Sequence, residues 1–284
     1  MSPIEPGRPR VGRIDFVNCF PLYLHFEEEL AGRGVQADVV PGTPAELNRM
    51  LVEGSIDMAL PSSIEFARHH DTLALLDGLA IGAFGAVDSV QLFSRVHVKQ
   101  LGSIALSEKS ATSVCLLKVL CREWGIRPLL APRLQPLAET LMRYDGLMLI
   151  GDEALQILRA GVYPYHVDLG QAWREATGLP MVFAVCVVRR DFLAAHPAAA
   201  AAMQAALIAS RDRCAAHPHE TAAAAAQIYD FSRPFLLEYF DKLKYGFTPD
   251  HRRGLAEFYR RAAAIGELDD PPDVEFDTMP ALPA

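Results

Sequence analysis

A chain of 284 residues, 51% of them hydrophobic, has the apolar content for one or two domains with buried cores. Its formal net charge of −8 and the lack of any clustered Lys/Arg run exclude a nucleic-acid surface. The charge does not exclude an anionic small ligand, because helix N-termini attract negative charge whatever the global balance.

The opening "MSPIEPGRPRVGRIDF" holds three prolines and no apolar stretch of the length an export signal needs. The first strand is read at Val11 to Phe16 and stops in "VNCFPLY". A residue before proline is pushed out of the helical basin, so Phe20 is expected extended, with a helix beginning near Pro21. Asn18 is then held in a short strand-to-helix connection, where open α/β folds present ligand-binding groups. Leu22, Phe26 and Leu30 follow at helical spacing, and "VQADVV" reads as a second strand. In "GTPAELNRMLVEGSIDMAL", Thr43, Pro44 and Glu46 spell a capping box, Gly54 ends the helix, and "IDMAL" is a third strand running into Pro61, Ser62 and Ser63. Such alternation implies a mostly parallel sheet with helices on both faces.

From Gly78, "GLAIGAFGAVDSVQLFSRV" reads as an extended run leaving one lobe for another. Residues 103–178 repeat the α/β theme: strand "SIAL", turn "SEKSATS", helix "VCLLKVLCREWG" capped by Thr112 or Ser113, strand "LMLIGD" and helix "EALQILRAG". "PMVFAVCVVRRD" carries the chain back. The two crossings divide the chain into one lobe of 1–96 with 180–284 and a second of 97–179, with a ligand cleft at the hinge. Ala, Leu, Gln and Arg make 198–228 helical, without the roughly 20 uninterrupted apolar residues of a membrane span. "DDPPDVEFDTMPALPA" reads as a frayed tail. A soluble cytoplasmic protein with neither membrane nor nucleic-acid partner is expected; its oligomeric state is not legible.

Four polar clusters directly follow predicted strands: Asn18, the pair Ser62 and Ser63, the turn Ser110 to Ser113, and Asp152. Each alone is an ordinary cap or turn residue, and together they would line a polar, largely uncharged cleft. Ser89 lies in the glycine-rich crossing, where a hydroxyl either enters the cleft or faces solvent, and Asp168 is read as a substrate contact or, in preference, as orienting the returning strand. Trp124 and Trp173 read as core or rim. Cys19, Cys115, Cys121, Cys186 and Cys214 are odd in number and form no C-x-x-C pair, so reduced thiols are expected. His69 and His70 are adjacent and no H-E-x-x-H occurs, so no metal site is expected. Nucleophile-elbow, Walker A and dinucleotide fingerprints are missing; "GRGVQA" at Gly32 follows a helix and precedes a strand, the reverse of what phosphate binding requires.

"IDFVNCFPLY", "GSIDMALPSSIEFA", "SVQLFS", "SATSVCLLKVL", "LMLIGDEAL" and "DLGQAWREATGLPMVFA", in that order, resemble the menaquinone-biosynthesis chorismate dehydratase family (MqnA) of the futalosine pathway over about residues 10 to 265. The resemblance implies a type II periplasmic-binding-protein-like fold, with two α/β lobes closing on the ligand inside the cell. It also implies a lyase without cofactor or metal, which converts chorismate to 3-[(1-carboxyvinyl)oxy]benzoate and water. The family's functional residues match Asn18 and Ser89. One departure is Cys186, where the family pattern usually carries Trp.

The chemistry suits neutral residues. The hydrogen on the ether-bearing ring carbon is vinylogous to the ring carboxylate, so its removal sends charge there, and hydroxide departs with aromatisation. Aimed donors and water exclusion then suffice. Asn18 and Ser89 are expected to donate to the ring carboxylate or the departing hydroxyl, while Ser110, Thr112 and Ser113 hold a carboxylate at a helix start; Ser62, Ser63 and Asp152 complete the substrate-binding set. With no evident His or Glu base, the side-chain carboxylate of chorismate is the preferred base. Two other readings compete: a non-catalytic binder of small carboxylates, and the later enzyme of the pathway, which acts on a cyclic futalosine.

Overall fold

The computed structural model describes residues 8–277 apart from 108 and 136. Among the described residues are eleven strands: β1 (Arg10–Ile14), β2 (Asp38–Gly42), β3 (Met58–Ala59), β4 (Leu73–Ala83), β5 (Val90–Ser94), β6 (Ser103–Leu106), β7 (Leu129–Pro132), β8 (Gly146–Ile150), β9 (Tyr165–Asp168), β10 (Met181–Arg189) and β11 (Leu243–Lys244). They form two sheets, in the orders β11-β4-β10-β3-β1-β2 and β7-β6-β8-β5-β9. No helix among the described residues is long and apolar enough to cross a membrane.

Both sheets are mixed rather than mostly parallel. In the first, β1 pairs parallel with β2 and β3, whereas β10 runs antiparallel to β3 and β4. In the second, β6 pairs parallel with β7 and β8, and β5 runs antiparallel to β8 and β9. The reversed strands β5 and β10 are the first that the chain forms on entering each sheet from the other. β5 follows β4 with no helix between them and so escapes the constraint that keeps βαβ neighbours parallel. The second sheet takes in Val90–Ser94, so the outward crossing runs through 84–89, ahead of the boundary drawn at 96.

Local chemistry explains most helix starts. Thr43 and Glu46 close their capping box, with Glu46 N–H donating to Thr43 Oγ1 at 3.3 Å and Thr43 N–H to Glu46 Oε2 at 2.8 Å. The helix Ala111–Glu123 begins earlier than expected: its cap is Ser110, whose hydroxyl accepts from Ser113 N–H at 3.2 Å, leaving Thr112 and Ser113 inside the first turn. Phe20 is helical (φ −51°, ψ −46°) rather than extended, because the turn Val17–Cys19 runs straight into the helix Phe20–Tyr23. The bias against αR before proline is a preference, and here a backbone bond from Phe20 N–H to the Val17 carbonyl outweighs it.

The tail is not frayed up to Asp277. Val274 is buried, Phe276 meets Phe247 edge-on, and Asp277 receives Leu75 N–H at 3.0 Å and pairs with Arg190. The rest of the stretch read as frayed, 278–284, lies outside the described residues.

The lobes share one continuous apolar core, in which Ala111–Glu123 packs on the helices Ser63–Arg68 and Pro249–Ala264. Lys118–Glu267 and Arg261–Glu123 ion pairs border that junction. The cleft lies between the two sheets. All five cysteines are free and buried, and the Cys186 side chain sits in the core of β10.

Candidate active site

The cleft lies where β1, the turn after β3, both ends of the outward crossing, and the starts of Ala111–Glu123 and Gly151–Ala160 meet, and its cavity is narrow, about 60 Å3. Asn18, Ser62, Ser89, Ser110 and Ser113 line it, between apolar walls that include Phe16, Ile81, Ile150 and Phe183. Among the described residues that line it there is no Asp, Glu, His, Lys or Arg.

Asn18 sits in the Val17–Cys19 turn that follows β1. Its backbone carbonyl accepts from the Tyr245 hydroxyl at 2.8 Å, so the turn is pinned while the side chain is left free. Its Oδ1 is buried and has no hydrogen-bond partner among the described residues. A buried amide oxygen without a partner is costly, so it marks a place where a ligand donor is expected.

Ser89 is presented by a strained turn. Asp88 takes a left-handed conformation at φ 58°, which is unfavourable for a side chain with a Cβ and persists only when surroundings impose it. Asp168 imposes it by accepting from Val87 N–H at 3.0 Å, Asp88 N–H at 2.7 Å and Gln91 Nε2–H at 2.7 Å, while also capping the helix Leu169–Thr177. Burial raises the Asp168 carboxyl above the usual carboxylate range, although these N–H donors act against that. Lys242 pairs with the Asp88 carboxylate. Ser89 itself is 2% exposed, and its carbonyl accepts from Gly151 N–H at 2.8 Å, tying the crossing to the start of Gly151–Ala160.

Gly151 has φ +65°, and a Cβ there would stand 3.1 Å from the Phe16 ring. Only glycine lets this helix start close against that wall. On the opposite wall, irregular pairing between β10 and β4 falls at Val182/Ala184, and Ser62 bridges Ala184. The kink turns Phe183 and Ala184 toward the cleft, as bulges beside ligand sites do.

Ser63, Thr112 and Asp152 do not line the cleft. The Ser63 hydroxyl donates to the Val182 carbonyl at 2.9 Å and lies 3.2 Å from Thr112 Oγ1, which also accepts from Ile64 N–H at 3.1 Å. This buried pair joins the lobes beneath the cleft. Asp152 accepts from Val17 N–H at 3.0 Å and so also bridges lobes, next to Asn18 in the chain. Burial raises its carboxyl above the ordinary carboxylate range, against the lowering effects of the Val17 N–H and Lys109.

Sequence reasoning passed over three residues. Lys109 extends over the Phe16 ring at 6.0 Å, a cation at the mouth of the cleft. Tyr245 holds Asn18, and Tyr239 lies behind Ser89. Lys109 stood in the polar turn beside Ser110; the tyrosines lie in the C-terminal third and carried no signal in the chain. Cys19 also lines the cleft, but burial pushes its thiol far above the ordinary range, which disfavours a thiolate. Among the described residues no group of three or more His, Cys, Asp or Glu is placed to hold a metal.

Comparison with known proteins places the chain in a family and a fold. A chorismate dehydratase from Thermus thermophilus is 37% identical over 206 residues, 67% of this chain and 72% of that protein. One from Campylobacter jejuni is 34% identical over 176 residues, 61% of this chain and 64% of that protein. The Candida albicans CA3427 gene product, described as having the generic periplasmic binding protein fold, superposes with a TM-score of 0.71 at 12% identity, covering 94% of this chain and 92% of that one. The two-lobed topology is thus the periplasmic-binding-protein fold, as the resemblance implied. A family model described as menaquinone biosynthesis matches residues 9–264, and the chain belongs to that family.

Proposed function

We propose that the protein is a chorismate dehydratase, a cofactor-independent carbon–oxygen lyase forming 3-[(1-carboxyvinyl)oxy]benzoate and water. Two curated relatives with that name support the substrate. The observation that carries the reaction is the cleft itself: Asn18 and Ser89, from different segments, line one apolar-walled space, and none of its described lining residues carries a charge.

Such a site cannot remove a proton with a strong side-chain base. The enolpyruvyl carboxylate of chorismate takes the hydrogen from the ether-bearing ring carbon, and the electron pair moves through the ring toward the ring carboxylate. Hydroxide then leaves the neighbouring carbon, the ring becomes aromatic, and the released proton and hydroxide together make one water. Asn18 offers an amide N–H to the ring carboxylate and its unpaired Oδ1 to the ring hydroxyl, and Ser89 adds a second donor. Ser110 and Ser113, at the start of Ala111–Glu123, receive the other carboxylate, with Lys109 at the mouth supplying positive charge. Ser62 completes the lining, while Ser63, Thr112 and Asp152 hold the two lobes together.

Apolar walls exclude water, which strengthens each aimed donor. Purified protein incubated with chorismate should yield an aromatic product lighter by one water, followed by absorbance and mass. Chorismate that binds and returns unchanged would instead favour a binding protein.

A further inference from the structure

The Ser89 hydroxyl holds its proton loosely within the protein, in a 3.3 Å bond to the Val87 carbonyl. Against it lies Tyr239, which does not line the cleft. Tyr239 is 1% exposed, and its hydroxyl reaches full hydrogen-bond geometry with no partner among the described residues. Its ring is fixed by stacking on Phe235, with planes 4° apart, and by Phe240 on the same helix. That helix, Arg233–Lys242, also sends Lys242 to Asp88, the left-handed residue that presents Ser89. One element thus holds the strained turn and places an idle phenol beside the hydroxyl that the turn presents.

A serine hydroxyl has one proton and two acceptor lone pairs. A donor from behind fills a lone pair, polarises the O–H and frees its proton to point forward. We propose that Tyr239 is a positioning residue: with ligand seated, its O–H donates to Ser89 Oγ and directs the Ser89 proton into the cleft, at the charge that develops on the substrate. Burial pushes the phenol well above its ordinary range, so it stays a donor at any working pH.

The test compares wild type, Tyr239→Phe, Ser89→Ala and the double variant. Its kinetic arm rests on the chorismate reading. Tyr239→Phe should lower kcat by roughly tenfold, the scale of one hydrogen bond, with KM within about twofold. Its melting temperature should match or exceed wild type, since an unpaired buried hydroxyl has been removed. In the Ser89→Ala background the same change should move kcat by less than about twofold, and the melting shifts of the two substitutions, measured at saturating chorismate, should be non-additive. Wild-type kcat in Tyr239→Phe, or an undiminished loss on top of Ser89→Ala, would overturn the proposal. Should wild type bind chorismate without converting it, the functional reading fails separately; additive melting shifts at saturating chorismate then overturn the role of Tyr239.

Discussion

Replacing Asn18 by Ala removes a side chain whose Oδ1 is buried and unpaired, while the backbone carbonyl of residue 18 keeps its bond from Tyr245. Two effects follow, of opposite sign. Removing an unsatisfied buried acceptor relieves about 1 to 3 kcal/mol, which offsets the packing lost with three heavy atoms and leaves folding stability close to wild type. The lost donor acts only on charge that develops in the transition state, where one oriented donor is worth about 3 to 4 kcal/mol, or about 100- to 1000-fold in kcat. The assay pairs a thermal melt with initial rates of aromatic product formation. A melting temperature within a few degrees of wild type and a kcat reduced on that scale are expected. A variant that melts far below wild type, or one that turns over at the wild-type rate, would refute the reasoning.

Further outcomes can be read from the same geometry. Gly151→Ala places a side chain at φ +65° and 3.1 Å from the Phe16 ring, so a stability loss of about 1 to 2 kcal/mol by chemical denaturation and a raised KM are expected as the ring is driven into the cleft. Asp277→Ala strips the acceptor from Leu75 N–H and the partner from Arg190, which should lower stability by about 1 to 3 kcal/mol while kcat stays at wild type. Asp152→Asn keeps an oxygen for Val17 N–H and removes a buried charge. The Asp152 carboxyl titrates above its unfolded value, so its charged form costs stability above that range and the cost vanishes as pH falls through it. The melting advantage of Asp152→Asn should therefore be largest at neutral pH and fade toward about pH 4.

Signals that act over a few residues were legible in the chain. Thr43, Pro44 and Glu46 announced their helix because both halves of a capping box lie within one turn. The strand-end placement of Asn18, Ser62 and Ser110 was legible for the same reason, and Ser89 stood out through the glycine-rich crossing and the family resemblance. What escaped depends on partners distant in the chain. Ser63 and Thr112 look like cleft residues until they are found bonded to each other across 49 positions. The tail read as frayed because its acidic, proline-rich composition hides contacts with distant segments, among them Asp277 with Leu75, 202 residues away, and Phe276 with Phe247. The mixed sheets were misread as mostly parallel since local alternation reports βαβ units and not the strand that enters from the other lobe. Tyr239 and Tyr245 were illegible because a buried tyrosine in a helical region is usually packing, and only the fold sets their hydroxyls beside Ser89 and Asn18.

The central claim is that the substrate's own enolpyruvyl carboxylate takes the proton, because none of the described lining residues is charged. Chorismate esterified at that carboxylate tests it most directly, with binding and dehydration followed on one sample. The account predicts an ester that occupies the cleft and is not aromatised, while free chorismate turns over in parallel. Dehydration of the ester at a rate near that of chorismate would mean that a protein group takes the proton, and would contradict the account.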